Sequence, residues 1–126
     1  MKLPVALVAA SLLAPVSITA FAHHSFAMFD QDKETKLVGT IKEVQWTNPH
    51  IWVQVMVSDA SGKAVEWSIE GGSPNGLSKQ GWKRTSIKAG DKVEMTIHPL
   101  KNGEKGGSLM HVSVDGKPIG SGHAPA

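Results

Sequence analysis

The sequence predicts an all-β domain in which five short strands and one short helix close into a small barrel. Three observations carry that prediction. From Leu37 onward, apolar and polar residues alternate in five separate runs, the period-two pattern of strands with one buried face. Gly71-Gly72-Ser73-Pro74 interrupts the third and fourth runs and opens a short helical stretch. Gly39 falls inside the first run, where a strand of a small barrel has to bend.

The first strand is read over 37–46 and the second over 51–57. Thr47-Asn48-Pro49-His50 joins them, and its Asn-Pro pair is a turn signal. The polar run Ser58-Asp59-Ala60-Ser61-Gly62 turns the chain into a third strand over 64–70. Ser73 then suits the N-cap and Pro74 the first helical position, and Gly81 closes the helix after about two turns with Leu77 facing inward. Ala89-Gly90-Asp91 leads into a fourth strand over 92–98, and a fifth over 108–114 ends at Asp115-Gly116. Pro99 to Gly107, rich in Lys and Gly, reads as a loose linker. His23 to Lys36 reads as an N-terminal arm ahead of a barrel spanning 37–119, and 120–126 as a flexible tail with nothing to bury. Five strands with a helix between the third and fourth give the order of an OB-like Greek-key barrel.

Alternation also assigns the faces. Ile51, Val53, Val55 and Val57 share one face of the second strand, and Val65, Trp67 and Ile69 one face of the third. Val93, Met95 and Ile97 do so on the fourth, and Met110, Val112 and Val114 on the fifth. With Val44 opposite Val53, strict alternation would turn Lys42 into the core at a large desolvation cost. A β-bulge near Lys42-Glu43 is therefore expected, returning Ile41 and Gly39 to the inside.

Ahead of the barrel, Lys2 followed by an apolar run from Leu3 to Val16 and by Ala20 and Ala22 has the three parts of a cleavable secretory signal peptide over 1–22. The apolar run is shorter than a spanning helix and contains Pro4 and Pro15, so no lasting membrane anchor is expected. Cleavage after Ala22 takes 22 of the 126 residues and leaves 104, the size of one small domain in the periplasm or secreted medium. With no cysteine, the domain has neither disulfides nor a thiolate, and stability must come from packing. Thirteen basic against 11 acidic residues leave no electrostatic footprint for nucleic acid.

The outward-facing set offers the chemistry. A register placing Ile97 opposite Val112 would set His98 opposite His111, close enough for two imidazoles to share a metal ion. A mature start at His23-His24 would offer a free α-amine and two ring nitrogens, a nitrogen-rich set that favours Cu(II). His50, His98 or His111 could complete that site. Trp46, Asn48 and Trp52, around the first turn, could instead dock a periplasmic protein or a small apolar ligand. Glu66 and Glu70 share a face of the third strand and read as solvated. No nucleophile–base arrangement and no phosphate-cradling loop is legible, so binding, and no enzymatic activity, is expected.

The segments His23-His24-Ser25-Phe26-Ala27-Met28-Phe29-Asp30, Gly39 to His50 with its Trp46-Thr47-Asn48-Pro49-His50, and Gly72-Ser73-Pro74-Asn75 with Gly81-Trp82 resemble a family of small exported bacterial proteins. That family is known as a domain of unknown function, and the resemblance, over about His23 to Ile119, implies export and a small barrel-like fold but no activity. The architecture is also similar to the periplasmic copper chaperones of efflux systems, OB barrels that hold Cu(I) with His, Met and a Trp face. The closely spaced Met pair those proteins use is absent here.

Overall fold

The structure, a computed structural model, describes residues 25–120; the expected signal peptide over 1–22, His23, His24 and 121–126 lie outside the described residues. A 3-10 turn over Ser25–Met28 precedes β1 (Thr35–Gln45), β2 (Trp52–Ser58), β3 (Ala64–Glu70), α1 (Pro74–Lys79), β4 (Lys92–Pro99), β5 (Gly106–Val114) and a two-residue β6 (Lys117–Pro118). β1 lies between β2 and β4, β3 flanks β2, and β5 flanks β4. A parallel pairing of β3 with β5 closes the ring, giving the five-stranded OB-like barrel that the order of elements predicts. Among the described residues no helix is long and apolar enough to cross a membrane.

β1 is long because it serves two neighbours. Its first half pairs with β4, from Thr35 opposite Ile97 to Thr40 opposite Lys92, and its second half pairs with β2. The register to β2 shifts between Ile41, opposite Val55, and Glu43, opposite Gln54, so the bulge falls at the predicted place. Ile41 is buried, while Lys42 stays in solvent and meets Glu66 at 2.7 Å.

α1 is built by its ends. Ser73 Oγ accepts from the Gly76 amide at 3.0 Å. At the other end Gly81, at φ 88°, donates to Ser78 O, and Trp82 donates to Leu77 O at 3.0 Å, the paired bonds of a Schellman motif. That turn drives Leu77 and Trp82 into the core. Gly120, expected to belong to a loose tail, lies against the Trp82 indole, where a Cβ would come within 2.4 Å of Nε1.

β5 departs from strict alternation. Thr96 pairs with His111 but Ile97 with Leu109, so Met110 is an extra residue in the ladder. The bulge turns Leu109 into the barrel and takes Met110, buried as it is, out of the central cluster where alternation placed it. Leu109→Ala should therefore cost about 2–5 kcal/mol in a urea melt, the range for a truncated buried leucine; a value near zero would restore strict alternation.

The supposed loose linker is mostly hairpin. Leu100 N donates to Gly106 O at 3.1 Å, and only Lys101 to Lys105 is left as the turn. The described part of the N-terminal arm packs on this hairpin. Phe29 is buried and bridges Leu100, Asp30 N donates to Pro99 O at 2.8 Å, and Lys101 N donates to Met28 O at 2.9 Å.

Candidate functional site

Residues paired across a sheet present their side chains to the same face, so the register traces a row around the barrel. Trp52 on β2 pairs with Glu70 on β3, Glu70 with Ser108 on β5, and Ser108 with His98 on β4. Their chain neighbours Val53, Ile69, Leu109 and Ile97 are buried in the barrel core, which puts the row on the outer face. Yet Glu70 is only 5% exposed and Ser108 only 3%.

His50 explains the buried carboxylate. Its Nδ1 is hydrogen-bonded to Glu70 Oε1. The turn that carries His50 is fixed on both sides: Thr47 Oγ1 donates to His50 O at 3.2 Å, and Ile51 N donates to Gly72 O at 3.0 Å. Gly71 N returns a bond to Ile51 O at 2.9 Å. Only glycine fits at 71, because a Cβ there would lie 2.5 Å from Ile51 Cγ1. The ring is part-exposed, and a proton held on Nδ1 toward Glu70 leaves Nε2 with its lone pair.

One row away, Gln54 Nε2 donates to Ser68 Oγ at 3.1 Å, and Ser68 pairs with Gly106, against which Leu100 packs. Here a cleft of about 240 Å³ opens between the hairpin turn and β2, walled by Trp52, Met28, Phe29 and Leu100, with Lys105 on its lining. Trp52 is 36% exposed and Met28 47%. The Lys105 ammonium is itself held 5.1 Å over the Trp67 ring.

The structure brings some of the predicted residues together and separates others. His50 and Trp52 lie at one end of the row and His98 at the other. His98 does not face His111: the true register sets Met95 opposite Val112 and Thr96 opposite His111, and the bulge then moves His98 to Ser108. His98 Nδ1 instead bonds the Lys33 carbonyl at 2.7 Å. The expected two-histidine metal pair is thus replaced by two histidines with different neighbours. Trp46 is half-buried against the core and lines a separate cleft with Arg84 and Lys88, so Trp46 and Trp52 do not form one docking surface. Asn48 is exposed in the turn. Among the described residues no three His, Cys, Asp or Glu side chains converge as a metal site.

Glu70 is the residue the sequence reading passed over as solvated. The β2–β3 hairpin carried the signal: aligning its two runs about the Asp59 turn sets Glu70 beside Trp52, two residues from His50.

The profile of a family described as "Family of unknown function (DUF6152)" matches residues 10–110. No curated protein and no solved structure matches the chain.

Proposed function

The chain belongs to the DUF6152 family of unknown function, and we propose that it is an exported binding protein that carries Cu(II) without catalysing a reaction. The observation that carries this reading is the His50–Glu70 pair. A histidine that ligates a metal almost always gives its other ring nitrogen to a carboxylate or carbonyl, which fixes the tautomer and raises the basicity of the ligating nitrogen. His50 has that arrangement on a rigid turn, with a carboxylate that is otherwise buried.

The remaining ligands would come from a mature terminus at His23, offering its α-amine and ring, with His24 beside it. The Ser25–Met28 turn that follows ends on the barrel, where Met28 lines the same cleft as Trp52. A terminus at His23 would stand two residues ahead of Ser25 in the chain, at most about 3.8 Å per residue from it. Such a site would need no histidine pair on β4 and β5.

A Cu(II) competition titration on protein exported and processed in cells, with intact mass confirming a start at His23, tests the reading. A tight one-to-one site is expected, lost when one extra alanine precedes His23. Binding no better than that of a His-His-Ser-Phe peptide would overturn it. A second reading, an accessory module for a protein or small apolar ligand, is favoured by the cleft in which the exposed Trp52 and Met28 meet. Under that reading Trp52→Ala abolishes partner binding and leaves copper affinity unchanged.

A further inference from the structure

We propose that Asn102 is a site of spontaneous covalent modification: the Gly103 amide nitrogen closes on the Asn102 side-chain carbonyl, ammonia leaves, and water opens the resulting succinimide to aspartate or isoaspartate. The site does not depend on copper binding.

The chain has three asparagines, and the residue after each decides its chemistry. Asn48 precedes Pro49, whose nitrogen carries no proton to lose. Asn75 and Asn102 both precede glycine, which puts no side chain in the way of the attack, so the sequence ranks these two alike. The fold separates them. Asn75 lies in α1, where helical torsions fix its main chain and the Gly76 amide donates to Ser73 Oγ at 3.0 Å. For that nitrogen to react, its bond must break and the first turn of the helix must open. Asn102 lies instead in the exposed turn from Lys101 to Lys105, outside any helix or strand. Gly103 N reaches Leu100 O only at 3.4 Å, beyond the range of a well-formed N–H···O bond. On the other side, Glu104 N donates to Asn102 Oδ1 at 3.0 Å, which draws electron density from the carbon under attack. A loosely held nucleophile and a polarised carbonyl therefore stand on neighbouring residues.

The atoms balance with water as the only co-reactant. Gly103 N gives its proton to solvent base, the N–Cγ bond forms, the Cγ–Nδ2 bond breaks, and Nδ2 departs as ammonia. Water adding at Cγ yields aspartate. Water adding at the main-chain carbonyl yields isoaspartate, in which the chain runs through Cβ and Cγ. Either product sets a carboxylate two residues from Glu104, on the turn whose Glu104 and Lys105 line the Trp52 cleft. Isoaspartate also lengthens the turn that the Leu100–Gly106 bond closes.

The test incubates the full chain in mildly alkaline buffer, with and without concentrated urea, and follows positions 75 and 102 by peptide mapping in a mass spectrometer. In the folded protein Asn102 should convert at least about tenfold faster than Asn75, the factor that a retained hydrogen bond and a closed helical turn supply. In urea the two rates should converge. The native rate at Asn102 should rise with pH, because the attacking nitrogen must lose its proton. Asn102→Gln, whose longer side chain would have to close a six-membered ring, should stop conversion at that position and leave Asn75 as it was. Equal rates at the two positions in the folded protein would overturn the proposal. So would conversion of Asn102 in urea alone, which would make the turn protective, or a mass gain that persists at position 102 in Asn102→Gln.

Discussion

His50→Ala is expected to lower stability by roughly 2–4 kcal/mol and, on the proposed copper reading, to abolish tight Cu(II) binding in the same protein. The stability loss follows from Glu70, whose side chain is only 7% exposed and whose carboxylate has His50 as its hydrogen-bond partner. Alanine would leave that oxygen desolvated and unpaired, the costly half of breaking any buried polar pair. On that reading, the copper loss follows from removing the His50 ring nitrogen that the barrel presents on a turn tied at both ends. Two further variants keep the effects apart. Replacing both residues, His50→Leu with Glu70→Leu, removes the stranded carboxylate, so most of the stability should return while copper binding stays lost. Glu70→Gln keeps an acceptor for Nδ1–H but not the charge behind it. The fold should tolerate it better, and copper affinity should drop 10- to 100-fold, the usual cost of losing a carboxylate behind a ligating histidine. Urea melts and copper titrations on the same preparations read both quantities. A His50→Ala protein within about 0.5 kcal/mol of wild type would mean that the Glu70 carboxylate is not held by His50.

The barrel was legible because its rules are local and repetitive. Alternation in five runs, Ser73-Pro74 and Gly81 around one short helix, and the cost of burying Lys42 each pointed to one arrangement, down to the bulge after Ile41. The bulge in β5 was not legible, because nothing at Met110 carries the penalty that Lys42 carries. Leu109 and Met110 are both apolar, either can face inward, and only the closed ladder decides. The expected His98–His111 pairing failed separately: it set Ile97 opposite Val112, two residues from the observed partner Met95, and the bulge then carries His98 on to Ser108. The dyad was hidden for another reason. An acidic residue at the end of a strand is ordinarily solvated, and what buries Glu70 is a turn 20 positions earlier in the chain, together with partners from the two strands beside it. The arm was opaque by period, because a short 3-10 turn and one bridge at Phe29 have no repeat to detect.

Gly39→Ala should be the most damaging single-methyl change in the barrel, costing about 3 kcal/mol or more. Gly39 pairs with Val57 on β2 and with Val93 on β4, so it sits where β1 passes from one neighbour to the other. A Cβ there would lie 2.2 Å from the Met56 carbonyl oxygen and 3.1 Å from Val55 Cγ1. Neither obstacle can rotate away cheaply: one is backbone in a ladder, the other part of a fully buried side chain. Relief requires β2 to move from β1, and β1 is the strand that joins the Trp52 end of the outer row to the His98 end on the other side of the ring. Gly62→Ala is the comparison that isolates steric closure. Gly62 has φ 83° and nothing within 4 Å of an added Cβ, so alanine meets only the left-handed backbone cost of about 1–2 kcal/mol. The expected order in urea melts is therefore Gly39→Ala well below Gly62→Ala. The reverse order would mean that the barrel does not close as tightly at β1 as its register requires.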